Sequence, residues 1–156
     1  MDLCNYREIK DLLMRHGFTF SKSLGQNFII NKSICPAMAQ SLGADETTGV
    51  LEIGPGIGVL TKELAKRAAK VVSIEVDERL PPLLAETMAG VDNFKLVLQD
   101  VLKVDLKALI AQEFPGMPVA VCANLPYNIT SPVLESLVET PCFTAFTVMI
   151  QREVAR

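Results

Sequence analysis

Nowhere in this 156-residue chain does an apolar run approach the ~20 residues that a helix needs to cross a bilayer. The N-terminal Met1-Asp2-Leu3-Cys4-Asn5-Tyr6-Arg7 also lacks the pattern of a signal peptide. These absences set the expectation of a soluble protein with no membrane partner. Cysteine is sparse and scattered: Cys4, Cys35, Cys122 and Cys142 form no Cys-x-x-Cys pair. That spacing argues against a zinc site or a disulfide frame and for reduced thiols in the cytoplasm. Positive charge is also short. The net charge is −3, with residues 1–40 at +2 and the remainder at −5. Phosphate affinity rests on Lys and Arg displacing counterions, so the chain is expected to bind nucleic acid weakly by itself. The basic lead segment suits a contact surface, and a solvated helix face accounts for it equally well. The single histidine, His16, lies in that lead segment and is given no catalytic role.

What is present reads as one globular domain: 49% of residues are hydrophobic, with Gly and Pro at punctuation points. Ile9, Leu12 and Leu13 give the stretch from Tyr6 to Arg15 a helical apolar stripe. Lys22 to Phe28 is a polar, glycine-bearing loop, and Asn31 or Ser33 can cap a helix running through Met38. From Gly49 the pattern becomes regular. Strands are expected at Val50–Ile53, Val71–Glu75, Phe94–Leu98, Pro118–Ala123 and Phe143–Ile150. Helices are expected between them at Leu60–Ala68, Glu78–Met88, Leu106–Ile110 and Pro132–Val138, the last with Ser131 as its cap. This α/β alternation implies a doubly wound, mainly parallel, Rossmann-like sheet whose ligands sit outside the strands' C-terminal ends. A helical lead segment, 1–48, would precede a core, 49–156.

Four places carry chemistry. Asn124-Leu125-Pro126-Tyr127 follows the apolar run Val119 to Ala123. The Asn side-chain oxygen and the carbonyl beside Pro126 can accept hydrogen bonds from a base's exocyclic amine, and Tyr127 can stack on an unpaired base. Such acceptors favour the geometry in which the amine's lone pair is free to attack. A strand-ending turn with a packing Tyr fits the tetrapeptide alone just as well. Glu52-Ile53-Gly54-Pro55-Gly56-Ile57-Gly58 is a Gly-rich loop opening a helix. Val59 stands where the dinucleotide pattern needs its third glycine, and no Gly-Lys-Ser/Thr follows, so a nicotinamide dehydrogenase and phosphoryl transfer are both disfavoured. With Glu52 just ahead, the loop suits a cationic or ribose-bearing ligand better than a pyrophosphate. Glu75 closes the second strand, where a carboxylate can accept both hydroxyls of a ribose; the upstream loop favours that role over a solvated acid. Asp100 closes the third, where it can hold an adenine amino group or act as a cap.

Taken in order, these segments resemble the small-subunit ribosomal RNA adenine dimethyltransferase family. The resemblance rests on Leu24-Gly25-Gln26-Asn27-Phe28, Leu51 to Gly58, Glu75, Gln99-Asp100-Val101, Asn124 to Ile129 and Met149 to Ala155. It implies S-adenosylmethionine as methyl donor, with no metal. Gln26 and Asn27, in a loop acting as a lid, would line the donor pocket. Gly54, Gly56 and Gly58 would pass its methionine portion, with Glu52 just ahead of them and Asn124 beside it. Glu75 would hold the ribose and Asp100 the adenine. Asn124, Leu125, Pro126 and Tyr127 would hold the target adenine for direct in-line methyl transfer.

The resemblance further implies a partner, small-subunit ribosomal RNA or the small ribosomal subunit, and a product, N6,N6-dimethyladenine near the RNA's 3′ end. Family members continue into further strands and a helical C-terminal domain. The expectation is therefore a fragment, ending after the fifth strand, that binds donor but is impaired in RNA methylation. Its strand Phe143–Ile150 would be an exposed edge open to self-association. Two alternatives stand beside this reading: a large-subunit RNA adenine methyltransferase of the erythromycin-resistance type, for which Leu125 is less usual than Ile, and a non-catalytic donor-binding or ribosome-assembly module.

Overall fold

The computed structural model describes residues 6–18, 39–126, 130–139 and 143–151. Within them, short runs rich in Val, Ile, Leu and Ala form strands β1 (Gly49–Ile53), β2 (Lys70–Glu75), β3 (Phe94–Leu98), β4 (Val119–Pro126) and β5 (Phe143–Gln151). β1 has every residue buried, as expected for a parallel strand covered on both faces. Helices α1 (Tyr6–Arg15), α2 (Val59–Arg67), α3 (Leu80–Thr87), α4 (Leu106–Glu113) and α5 (Thr130–Val138), with a 3₁₀ turn at Val101–Lys103, complete the described elements.

The five strands form one sheet in the order β3-β2-β1-β4-β5, and every neighbouring pair is parallel. Alternation along each strand sends side chains to two separate cores. Val50, Val71, Ala120 and Cys122 join one cluster with Ile9, Leu12 and Leu13 of α1, Leu60 and Leu64 of α2, and Leu83 and Leu84 of α3. Leu51, Ile53, Val72, Ile74 and Val121 join the other, with Ile110 of α4 and Val133 and Leu137 of α5. The sheet is thus doubly wound, as expected. The strand order reverses between β1 and β4, and in such sheets the ligand crevice opens outside the strand ends at that reversal. Among the described residues no helix is long and apolar enough to cross a membrane.

The lead segment is tied to the rest by polar contacts as well as by its apolar stripe. Arg15 Nη1 donates to Glu86 Oε1 at 2.7 Å, and His16 Nε2 lies 2.7 Å from Glu86 Oε2. The Arg79 guanidinium sits 4.1 Å from the centre of the Phe18 ring. At the opposite end of the sheet from the crevice, a Cβ on Gly49 would stand 2.2 Å from Phe114 Cδ1, so only glycine admits that buried ring.

Some boundaries differ from the sequence expectation. α3 begins at Leu80, so Pro81 and Pro82 fall in its first turn, where a missing N–H breaks no helical bond. α4 runs on to Glu113. α5 begins at Thr130, which places Ser131 inside the helix rather than at its cap and Pro132 still within the first turn. β4 continues three residues past Ala123, with Asn124, Leu125 and Pro126 in register with Met149, Ile150 and Gln151 of β5. β1 ends at Ile53 opposite Ala123. Beyond that level, among the described residues, β4 is flanked on one side only, which is where a strand tolerates a proline. The expected helix through Met38 lies outside the described residues, apart from helical residues 39–41.

Candidate active site

The singled-out residues that are described collect at the C-terminal edge of the sheet. The β1–α2 loop leaves Ile53 through Gly54, whose N–H donates to the Ile74 carbonyl at 3.0 Å. Gly54, Gly56 and Gly58 all have positive φ, a conformation costly for any residue with a Cβ. At Gly58 there is a second constraint. A Cβ there would meet Thr87 Oγ1 at 3.1 Å and Leu84 Cδ2 at 3.3 Å, so this glycine also lets the loop close onto α3. Gly58 caps α2 without a side-chain hydrogen bond.

Glu75 ends β2 and turns back over the following peptide. Its Oε2 accepts from the N–H groups of Val76 at 2.8 Å and Asp77 at 3.1 Å. Burial pushes its carboxyl above the ordinary value, while those two N–H groups and the Gly56 N–H pull the other way. Oε1 accepts from neither Val76 nor Asp77. Asp100 lies two residues past Leu98, the register partner of Glu75, and Gln99 N–H donates to the Glu75 carbonyl at 2.8 Å. Asp100 Oδ1 accepts from Leu102 N–H at 3.0 Å and so caps the 3₁₀ turn. One oxygen of Asp100 thus has the bland role weighed from the sequence, and Oδ2 takes no part in that cap.

Glu52 is only 2% exposed. Its Oε1 accepts from Thr61 Oγ1 of α2 at 2.6 Å and from Ser73 Oγ of β2 at 2.7 Å. Burial raises its carboxyl to about 7, against the lowering pull of the two hydroxyls, and the charge of Glu75 adds to the rise. The raised value has a definite sign for folding. The unfolded chain gives up this proton first as pH rises, so Glu52 costs stability progressively between its ordinary value and about 7.

Asn124, Leu125 and Pro126 extend β4 along the same edge, one to three residues beyond the level at which β1 ends. Gln26, Asn27 and Tyr127 lie outside the described residues. The structure therefore brings together Glu52, the three glycines, Glu75, Asp100 and the backbone of residues 124–126.

Sequence reasoning missed two apolar side chains. Val76 is 65% exposed directly after Glu75, and Leu102 is 46% exposed two residues past Asp100. Exposed apolar groups beside carboxylate acceptors can lie against a flat ring. Their spacing from the two acids was the available signal. It also missed Thr61 and Ser73 as the partners of Glu52.

Comparison with known proteins places this geometry. Residues 17–156 match the family described as ribosomal RNA adenine dimethylase. The ribosomal RNA small subunit methyltransferase A of Streptococcus pyogenes serotype M5 (strain Manfredo) is 48% identical, over 99% of this chain and 54% of its own length. The chain thus spans about half the length of the curated relatives it matches. Among crystal structures, the 23S rRNA methyltransferase ErmE is 34% identical with a TM-score of 0.68, over 81% of this chain and 49% of that one. A dimethyladenosine transferase from Plasmodium falciparum is 30% identical with a TM-score of 0.65, over 80% of this chain and 43% of that one. The chain belongs to the ribosomal RNA adenine dimethylase family.

Proposed function

We propose that this chain serves S-adenosylmethionine-dependent N6,N6-dimethylation of adenines near the 3′ end of small-subunit ribosomal RNA, with the small ribosomal subunit as its partner in the cytoplasm. The observation that carries the reading is the clustering of carboxylate acceptors and positive-φ glycines at one sheet edge, at the point where strand order reverses. The donor set fits an adenosyl ligand. Glu75 Oε1 would accept from the ribose hydroxyls, and Asp100 Oδ2 from the adenine amine. Val76 and Leu102 would lie against the purine, and the loop from Gly54 to Gly58 would pass the amino-acid portion. Gln26 and Asn27, in the lead segment 1–48, would complete the pocket over the core 49–156. The donor supplies a methyl group on a cationic sulfur. The chain's part is to hold the target adenine's amine in line with it, through Asn124, the backbone of Leu125 and Pro126, and the ring of Tyr127. Positioning of two substrates and polarisation of the amine would supply the catalysis.

The small-subunit target is favoured over the large-subunit one by the higher identity, 48% against 34%, of the respective relatives. Calorimetric titration of the chain with S-adenosylmethionine and with NAD tests the donor: the first is expected to bind and the second is not. Asn124→Ala, placed in a protein of the relatives' full length, should lose methyl transfer to small subunits and keep donor affinity within about threefold. Loss of donor binding in parallel with activity would refute the amine-holding role.

A further inference from the structure

Arg79 touches the ligand edge on one side and the lead segment on the other. Its Nε and Nη2 donate to Oδ1 and Oδ2 of Asp77 at 3.0 and 2.8 Å, and its backbone N–H donates to the same Oδ1 at 2.9 Å. Its guanidinium lies 4.1 Å from the centre of the ring of Phe18, a residue only 5% exposed that follows the end of α1. The Phe18 N–H in turn donates to the Leu13 carbonyl of α1 at 2.9 Å. Asp77 belongs to the turn that orients Glu75, because its N–H is one of the two donors to Glu75 Oε2. That turn carries two carboxylates within three residues, and the Asp77 charge acts against the ionised form of Glu75. A two-pronged guanidinium answers the charge and fixes the direction of the Asp77 side chain at once, which the point charge of a lysine does not. An ion pair at a helix start would need the Asp77 fork alone. The seat over a buried ring of the lead segment is the additional observation.

We infer that Arg79 is a positioning residue for nucleoside binding: held between the Asp77 carboxylate and the Phe18 ring, it sets the turn from Glu75 to Asp77 and makes the aim of Glu75 depend on the docked lead segment. The inference rests on the reading of Glu75 as the ribose acceptor and deepens it. Arg79 touches no substrate atom in this role. It acts through Asp77, whose N–H orients the acceptor, and the same turn presents Val76. Without the guanidinium, the Asp77 carboxylate keeps only the residue-79 N–H of these three donors. The turn then loosens, Glu75 meets the two hydroxyls less often, and affinity falls in the ribose contribution alone. Removing the ring takes away the seat of the same guanidinium, so the two losses should not add.

Calorimetric titration with S-adenosylhomocysteine and with its 2′,3′-dideoxy counterpart reads this directly. The unaltered chain should bind the first about tenfold more tightly than the second, which offers Glu75 no hydroxyls. Arg79→Gln should weaken S-adenosylhomocysteine about fivefold and leave the dideoxy compound nearly unchanged. Arg79→Lys keeps a cation over the ring but loses the fork, and should fall between. Phe18→Leu, which keeps an apolar side chain in the core, should weaken S-adenosylhomocysteine about threefold. The double variant should bind like Arg79→Gln alone. The Arg79 side chain is 59% exposed, so its variants should fold, and thermal melting identifies any that does not. Equal weakening of both ligands by Arg79→Gln, or no weakening of either, would overturn the positioning role and leave the donor reading intact. Additive losses in the double variant would overturn the link to the lead segment. Equal binding of the two ligands by the unaltered chain would remove the ribose role of Glu75, and this inference with it. Failure of both to bind would overturn the donor reading itself.

Discussion

The two ends of the parallel sheet treat their carboxylates in opposite ways. At the N-terminal end, Glu113 is buried but meets two cations: Lys70 Nζ at 3.0 Å and Lys95 Nζ at 2.5 Å. Those lysines hold its carboxyl below the ordinary range. At the C-terminal end, Glu52 is buried and Glu75 half-buried, neither with a basic partner among the described residues, and burial pushes both upward. A compensated acid stabilises the fold, whereas an uncompensated one costs stability and retains capacity for a ligand. One end fastens the sheet; the other leaves its acids in need of a partner.

Three substitutions test that division, in order of expected size. Glu75→Gln should weaken S-adenosylmethionine binding about 100-fold, roughly 3 kcal/mol, by replacing a charged acceptor with a neutral one. Thermal stability should hold or rise, because the charge removed is a desolvated one. A parallel fall in melting temperature would break the contrast. Gly49→Ala, at the fastening end, should cost roughly 2 kcal/mol by forcing the Phe114 ring aside, or about 6 °C in melting temperature. Ligand affinity of the folded variant should not change. Glu113→Gln should cost about 1 kcal/mol at neutral pH, discounted because both lysines are partly exposed. Since the lysines lower the Glu113 carboxyl, its stabilising contribution is complete above the ordinary carboxylate range and disappears as pH falls through the lowered value. Urea titrations of variant and parent should therefore converge in acid; a gap that persisted there would assign the loss to packing instead.

Local chemistry made much of this legible in the sequence. Alternating apolar runs and helical stretches gave the order of elements, and Phe94–Leu98 matches β3 residue for residue. The placing of the Gly-rich loop, Glu75 and Asp100 at one edge of the sheet was legible because each follows the end of an apolar run that reads as a strand. What escaped depends on contacts between residues distant in sequence. No spacing rule brings Thr61 and Ser73 to Glu52, because that meeting requires α2 to fold over β1 and β2 to lie beside it. The approach of Phe114 to Gly49 is likewise tertiary. The start of α5 was misplaced because Ser-Pro makes a good cap signal, which the helix overran by one residue on the N-terminal side of Ser131. The extension of β4 was missed because a proline usually ends a strand, and here the pairing with β1 has already ended at Ala123, three residues before Pro126.

That extension bears on how a target would be selected. The backbone of Asn124 to Pro126 belongs to the sheet ladder and shares its register with β5. On the proposed reading, the acceptors for the amine are part of a rigid plane and do not fold around a guest. The cost of adjustment then falls on the RNA, whose adenine must leave its stack to reach them. Selection would favour adenines already loosely stacked, and a new target would require moving a strand.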